Sequence, residues 1–125
     1  MSTRAARIED AFDVVCDVYD ELDGSDKYYF EAWVEEYFRL KGLYLQATSG
    51  NVDRSNRPWR GCNPKYMKYY AHSECYGMSA AEAMEEYLAM ILTPLFRNDV
   101  NFGEMCYDAL IGDPVLKDLG LDDED

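Results

Sequence analysis

Apolar residues recur at helical spacing along most of the chain. Residues 4–22 carry an apolar stripe with spacings of four and three, which is typical of an amphipathic helix. The stripe consists of Ile8, Phe12, Val15, Tyr19 and Leu22. A second stripe follows Ser25, a favourable N-cap, and we expect that helix to end at Gly42, a favourable C′ residue. Its members are Phe30, Trp33, Val34, Tyr37 and Phe38.

The second half of the chain shows clearer helix boundaries. Ser79 and Glu82 form a capping-box pattern before an apolar stripe, and Pro94 is expected to kink or end that helix. Asn98 or Asp99 is expected to begin a further helix that runs to about Ile111.

Between the two halves, residues 46–64 are rich in Ser, Asn, Gly, Arg and Pro, which predicts a long loop. Residues 65–76 are helical or irregular in character. The pattern therefore predicts an all-α protein, a compact bundle of four to five helices with a long basic loop in the middle. We expect residues 1–121 to form a single helical domain and residues 122–125 to form an acidic tail.

The composition supports a folded protein that carries a large negative charge. The chain has 125 residues, of which 48% are hydrophobic, and a formal net charge of −13. No apolar run approaches the ~20 residues that span a bilayer, and the N-terminus has no signal core, so we expect a cytoplasmic protein without membrane contact. Direct binding to nucleic acid is not expected, because an anionic surface repels phosphates.

The charge is unevenly distributed. Residues 1–53 have a net charge of −7, residues 54–70 of +5 and residues 71–125 of −11. On the first two predicted helices, carboxylates recur one turn apart, a spacing that slightly destabilises a helix and so suggests a presented surface. We predict an acidic partner-binding set composed of Asp13, Asp17, Asp20, Glu31 and Glu35.

In size, helical character, acidity and aromatic content the chain resembles small antagonists encoded by phages or plasmids, namely anti-CRISPR proteins and DNA-mimicking anti-restriction proteins. The resemblance implies a non-enzymatic inhibitor that binds a basic nucleic-acid-handling protein complex, a CRISPR effector or a restriction enzyme. It would block the nucleic-acid path partly by acidic mimicry in the host cytoplasm. An immunity or antitoxin protein that neutralises a basic nuclease toxin is the alternative, because the same physics would serve it.

The basic segment interleaves cations with aromatic rings, a combination suited to a protein hot spot or to single-stranded nucleic acid. The same cations could instead pair with the acidic helices and hold the loop in place. We predict a second partner-binding set composed of Arg54, Arg57, Trp59 and Arg60.

The remaining chemistry is sparse. Cys62, His72 and Cys75 have only a weak resemblance to zinc-ligand spacing, so we expect no metal, and a Cys75–His72 nucleophile has no supporting signature. No cofactor motif or catalytic motif is present, and we expect no enzyme. A small enzyme using paired carboxylates or a self-associating helical module stays open, and the 18 aromatic residues make a homodimer possible.

Overall fold

The computed structural model of the chain describes residues 3–58 and 64–121. Within them it contains eight α-helices and a short 3₁₀ turn at Arg54–Asn56, and no strand. The helices are α1 (Arg4–Glu21), α2 (Gly24–Trp33), α3 (Tyr37–Ser49), α4 (Pro64–Glu74), α5 (Ala80–Ile91), α6 (Pro94–Asp99), α7 (Asn101–Leu110) and α8 (Pro114–Asp118). The all-α prediction is confirmed, whereas the expected number of four to five helices is wrong. The expected acidic tail lies outside the described residues.

Most helices begin where side chains satisfy the free backbone amides of the first turn. The Thr3 hydroxyl accepts a hydrogen bond from the Ala6 amide, and the Asp23 carboxylate accepts one from the Asp26 amide. Ser79 and Glu82 bond reciprocally at the start of α5, so the capping box is confirmed. Of the kink or end expected at Pro94, the structure shows an end, since α5 ends at Ile91.

The second predicted helix is interrupted. The backbone is extended at Val34, and α3 begins at Tyr37. The contacts divide the chain into two compact units at this point, with Phe30 buried in one and Tyr37 in the other. The apolar stripe is continuous in sequence, but its side chains pack in two different units, and this explains the break.

The first unit, which we call the acidic unit, comprises Met1–Val34 and Leu88–Asp125. In it α1 packs against α7 and α8, and α7 also packs against α6 and α2. The rings of Tyr19, Phe30 and Phe102 form a cluster with centroid separations of 5.1–6.1 Å. Arg7 of α1 donates two hydrogen bonds to the Asp118 carboxylate, at 2.6 and 3.0 Å, and these hold α8 against α1.

The second unit, which we call the neutral unit, comprises Glu35–Tyr87. In it α3 packs against α4, and the two backbones approach closely at Gly42. A Cβ atom built on Gly42 would lie 2.5 Å from the carbonyl oxygen of Ala71. The prediction that Gly42 ends a helix is therefore wrong, because this glycine lies inside α3 and allows the close approach of α4.

The expected loop at 46–64 is also wrong in extent. Helix α3 continues to Ser49 and ends at Gly50, whose φ of +73° favours glycine. Helix α4 begins at Pro64. Residues 50–58, which follow α3, contain the short 3₁₀ turn and no other helix.

Candidate functional site

Several basic and aromatic side chains of the neutral unit lie along α3 and α4. On α3, the ammonium group of Lys41 lies 4.9 Å from the centroid of the Tyr44 ring, and both side chains are half-buried. On α4, Lys65 is exposed, while Lys68 and Tyr69 are half-buried. Spacings of three and four bring the members of each set to one side of their helix. We call this group, Lys41, Tyr44, Lys65, Lys68 and Tyr69, the lysine–tyrosine surface.

The segment after α3 is fixed by buried polar groups. The side chain of Gln46 is 1% exposed, and its amide nitrogen donates to the Asn51 side-chain oxygen and to the Met78 carbonyl, both at 2.9 Å. The same Asn51 oxygen accepts a hydrogen bond from the Gly77 amide at 2.8 Å. Asn51 therefore connects the start of the segment to the turn between α4 and α5.

His72 provides a further connection. Its Nε2 atom lies 2.7 Å from the Gly50 carbonyl oxygen, and a carbonyl only accepts, so Nε2 carries the proton. The nearby Cys75 is fully buried, and burial raises the pKa of its thiol. A buried thiol that resists ionisation gives no support to the Cys75–His72 nucleophile.

No cluster of three potential metal ligands occurs within the described part of the chain. Cys62, the third member of the weak zinc pattern, lies outside that part. In the described residues, no helix is both long enough and apolar enough to cross a bilayer.

The two sets of predicted site residues are placed differently. Three of the predicted acids lie exposed on α1, namely Asp13, Asp17 and Asp20. The pKa of the nearby Cys16 thiol is raised to about 11, mainly by burial and secondly by the charges of these acids. Glu31 is exposed on α2, where its carboxylate accepts a hydrogen bond from the Tyr19 hydroxyl. Glu35 is exposed and belongs to the neutral unit, so these five acids are not grouped within a single unit.

Of the basic set, Arg54 begins the 3₁₀ turn and its guanidinium carbon lies 3.8 Å from the centroid of the Tyr76 ring. Arg57 is exposed after the turn. Trp59 and Arg60 lie outside the described residues.

Several residues of the site were not predicted from the sequence. Asn51, Gln46 and Tyr76 carry no motif, and their roles depend on contacts between distant parts of the chain. Gly50 is the one local signal, because a glycine at the end of an apolar stripe suggests a helix terminus.

In the residues that the structure describes, the neutral unit is all-helical and displays lysine, arginine and tyrosine side chains, groups that can contact anions. The comparison with protein families gives the particular family. A model of the family described as acyl CoA binding protein matches residues 9–91, well over half of the chain. The protein therefore belongs to the acyl-CoA-binding protein family. No match was found among curated proteins or among solved structures.

The family match corrects the expectations about function. The resemblance to anti-CRISPR and anti-restriction proteins is wrong, as is the expected partner, a basic nucleic-acid-handling complex. The immunity or antitoxin alternative is likewise unsupported. The physical reason is that acidity and helical content describe a surface and a fold without specifying a ligand.

Proposed function

We propose that the protein binds acyl-CoA through its neutral unit and acts as a carrier without catalysing a reaction. The observation that carries the proposal is the family match, which ends at Ile91 and includes the whole of Glu35–Tyr87. That this chain is a cytoplasmic protein is part of the same proposal.

The chemistry of the ligand fits the side chains of this unit. The CoA half of acyl-CoA carries several phosphate charges and an adenine ring, while the acyl half is apolar. Lysine side chains attract phosphate as mobile point charges, and tyrosine rings give flat contact area for a base. The lysine–tyrosine surface offers three such positive charges, on Lys41, Lys65 and Lys68. It offers two such rings, those of Tyr44 and Tyr69.

Helix α4 also offers apolar side chains that the acyl chain could contact. Met67 and Tyr70 lie three residues apart on α4 and are 39% and 54% exposed. Covering exposed apolar area of this kind is favourable in water, because it removes that area from the solvent.

The proposal that the protein is not a catalyst is supported by the protonation and hydrogen bonding of its cysteine and histidine side chains. The thiols of Cys16, Cys75 and Cys106 all have pKa values raised by burial, so none is prepared as a nucleophile. The Nε2 proton of His72 is engaged with the Gly50 carbonyl. Such groups suit a binding protein better than an acyl-transfer enzyme.

Isothermal titration with palmitoyl-CoA, free CoA and palmitate tests the proposal. We expect palmitoyl-CoA to bind and each half alone to bind more weakly, because each half offers only part of the contact. Replacing the half-buried Lys68 by Ala should weaken palmitoyl-CoA binding roughly tenfold, through loss of a charge-assisted hydrogen bond to phosphate.

Lys117→Ala is the matched control. It removes the same charge from α8 of the acidic unit, where Lys117 is exposed and beyond the family match. We expect it to leave the affinity unchanged. No binding of palmitoyl-CoA by the wild-type protein would refute the function, and equal losses in the two variants would refute the proposed location.

A further inference from the structure

An arginine outside the lysine–tyrosine surface is held in a fixed position by an aromatic ring. The guanidinium carbon of Arg54 lies 3.8 Å from the centroid of the Tyr76 ring, a cation–π contact with a ring that is 49% exposed. A guanidinium group that packs its face against a ring keeps the N–H donors around its edge available.

No carboxylate occupies those donors within residues 3–58 and 64–121. The adjacent carboxylate, Asp53, is turned to its own backbone, where it accepts hydrogen bonds from the Ser55 amide at 3.0 Å and the Ser55 hydroxyl at 2.6 Å. Arg54 itself is exposed. Its charge is therefore ordered, accessible and without a described ion-pair partner.

The backbone on both sides of the contact is anchored by one residue. Asn51, three residues before Arg54, accepts a hydrogen bond from the amide of Gly77, the residue that follows Tyr76. Gln46 donates to the same oxygen from a buried position, which fixes the Asn51 side chain. Placing a donor group in advance lowers the entropy lost when an anion binds.

We propose that Arg54, held on the ring of Tyr76, forms a binding site for a phosphoryl group. The guanidinium fork matches two oxygens of a phosphate, and the ring beneath it fixes the plane of the fork. The phosphoryl group is either one carried by the acyl-CoA of the proposed function or one on a separate molecule. The first case rests on that proposed function, and the second does not.

The first experiment compares Arg54→Ala with Arg57→Ala by isothermal titration of palmitoyl-CoA and of palmitoyl-CoA lacking the 3′-phosphate. Arg57 is the matched control: the sequence places it in the same basic set as Arg54, and it is exposed and lies three residues further on, but it has no aromatic partner in the described residues. The pair therefore isolates the contribution of the ring, and the site proposed here does not include Arg57. If the site binds the ligand's phosphoryl group, Arg54→Ala weakens palmitoyl-CoA binding about tenfold and Arg57→Ala less than twofold. A smaller loss with the shortened ligand would assign the 3′-phosphate as the bound group.

The second experiment is independent of acyl-CoA. Inorganic phosphate is titrated while the backbone amide signals of Tyr76 and Gly77 are followed by NMR. Saturable shifts that Arg54→Ala abolishes and Arg57→Ala retains support the site even where the wild-type protein binds no palmitoyl-CoA. If palmitoyl-CoA affinity is unaffected by Arg54→Ala while these shifts are lost, the bound phosphate comes from a separate molecule.

Variants of the ring distinguish an ordered fork from a simple charge. Tyr76→Leu removes the aromatic face but keeps the charge, and should cause part of the loss seen with Arg54→Ala, whereas Tyr76→Phe keeps the face and should keep binding. Arg54→Lys keeps the charge without the fork and should recover only part of the affinity. Equal effects of Arg54→Ala and Arg57→Ala on both ligands, together with no phosphate-dependent shift, would overturn the proposal.

Discussion

The acidic unit and the neutral unit differ first in charge. Glu35–Tyr87 contains seven acidic and seven basic residues, while the remainder of the chain contains 18 acidic and five basic ones. The whole formal net charge of −13 therefore belongs to the acidic unit. The net charge of the whole chain therefore conceals a region whose own formal net charge is zero.

The two units also differ in how they use buried polar groups. In the described residues, the buried polar side chains are Gln46 and His72, and both belong to the neutral unit. Each fixes the segment that follows α3, through Asn51 and Gly50 respectively. The acidic unit is ordered instead by an aromatic cluster and by the Arg7–Asp118 pair. Buried polar groups that hydrogen-bond to particular backbone and side-chain atoms favour one arrangement of the segment they hold.

The largest expected difference concerns two glycines, one in each unit. A Cβ on Gly42 would meet backbone atoms of Ala71 at 2.5 and 2.7 Å. A Cβ on Gly103 would meet the ring of Phe96 at 2.5 Å, and its nearest backbone atom would be the Ile91 carbonyl oxygen at 3.0 Å. Backbone atoms move less easily than a ring, so we expect Gly42→Ala to lower the free energy of unfolding by about 3 kcal/mol and Gly103→Ala by about 1–2 kcal/mol. Urea denaturation followed by circular dichroism measures both.

Gly24→Ala is the control for these variants, because nothing lies within 4 Å of a Cβ at that position. We expect it to be neutral or slightly stabilising, since alanine favours a helix. The same data test the prediction that residues 1–121 fold as one domain. A single transition that shifts in both variants supports one domain, and two transitions that shift separately contradict it.

These glycines also show what the sequence can predict. Local signals placed α1 and α5 well, since apolar periodicity and capping residues act within a few positions. The prediction of a helix end at Gly42 is wrong, because glycine favours both helix ends and close backbone contacts, and only the approach of α4 distinguishes the two. The interruption of the predicted helix at Val34 also depends on tertiary packing, because Phe30 is buried in the acidic unit and Tyr37 in the neutral unit.

The candidate site was predicted only in part for the same reason. The sequence predicts Arg54 as a site residue because it lies in a segment that is rich in cations. Its aromatic partner, Tyr76, lies 22 residues after it in the sequence, and Asn51 lies three residues before it. Neither residue belongs to a periodic pattern that would indicate the contact. Contacts between distant segments are set by tertiary packing, and no local pattern encodes them.

The next prediction concerns Cys16 in the acidic unit. Burial and the charges of Asp13, Asp20 and Asp17 raise the pKa of this thiol from 9.0 to about 11. At pH 8 its thiolate population is therefore roughly a hundredfold below that of an unperturbed cysteine, and iodoacetamide should modify it slowly. Modification rates between pH 7 and pH 10, with Cys62 replaced by Ser, measure this.

The triple variant Asp13→Asn, Asp17→Asn, Asp20→Asn isolates the contribution of charge. We expect faster modification of Cys16, but still slower than for a free cysteine, because burial is the larger cause of the raised pKa. If Cys16 in the protein without the aspartate substitutions is modified as fast as free cysteine, neither burial nor charge raises the pKa of its thiol.

A smaller effect is expected at the ion pair of the acidic unit. The two hydrogen bonds from Arg7 lower the pKa of Asp118 below its usual 3.8, so the pair stabilises the folded state above about pH 4. This contribution is lost as the pH falls through the lowered pKa. Asp118→Asn should therefore reduce the melting temperature at pH 7, and the difference from the wild-type protein should close below pH 4. A difference that persists unchanged at pH 2 would show that the charge of Asp118 is not its cause.

The smallest expected effect tests whether the acidic unit influences ligand binding in the neutral unit. The acids at positions 13, 17 and 20 are exposed and belong to a different unit from the lysine–tyrosine surface. If they act only through the general field of the protein, replacing all three by Asn should strengthen palmitoyl-CoA binding by about twofold at low salt, because repulsion of the phosphates decreases. The gain should disappear at 0.5 M salt, where the field is screened. Weaker binding in the variant would mean that these carboxylates contribute directly to the ligand site, and the division of roles between the two units would then have to be abandoned.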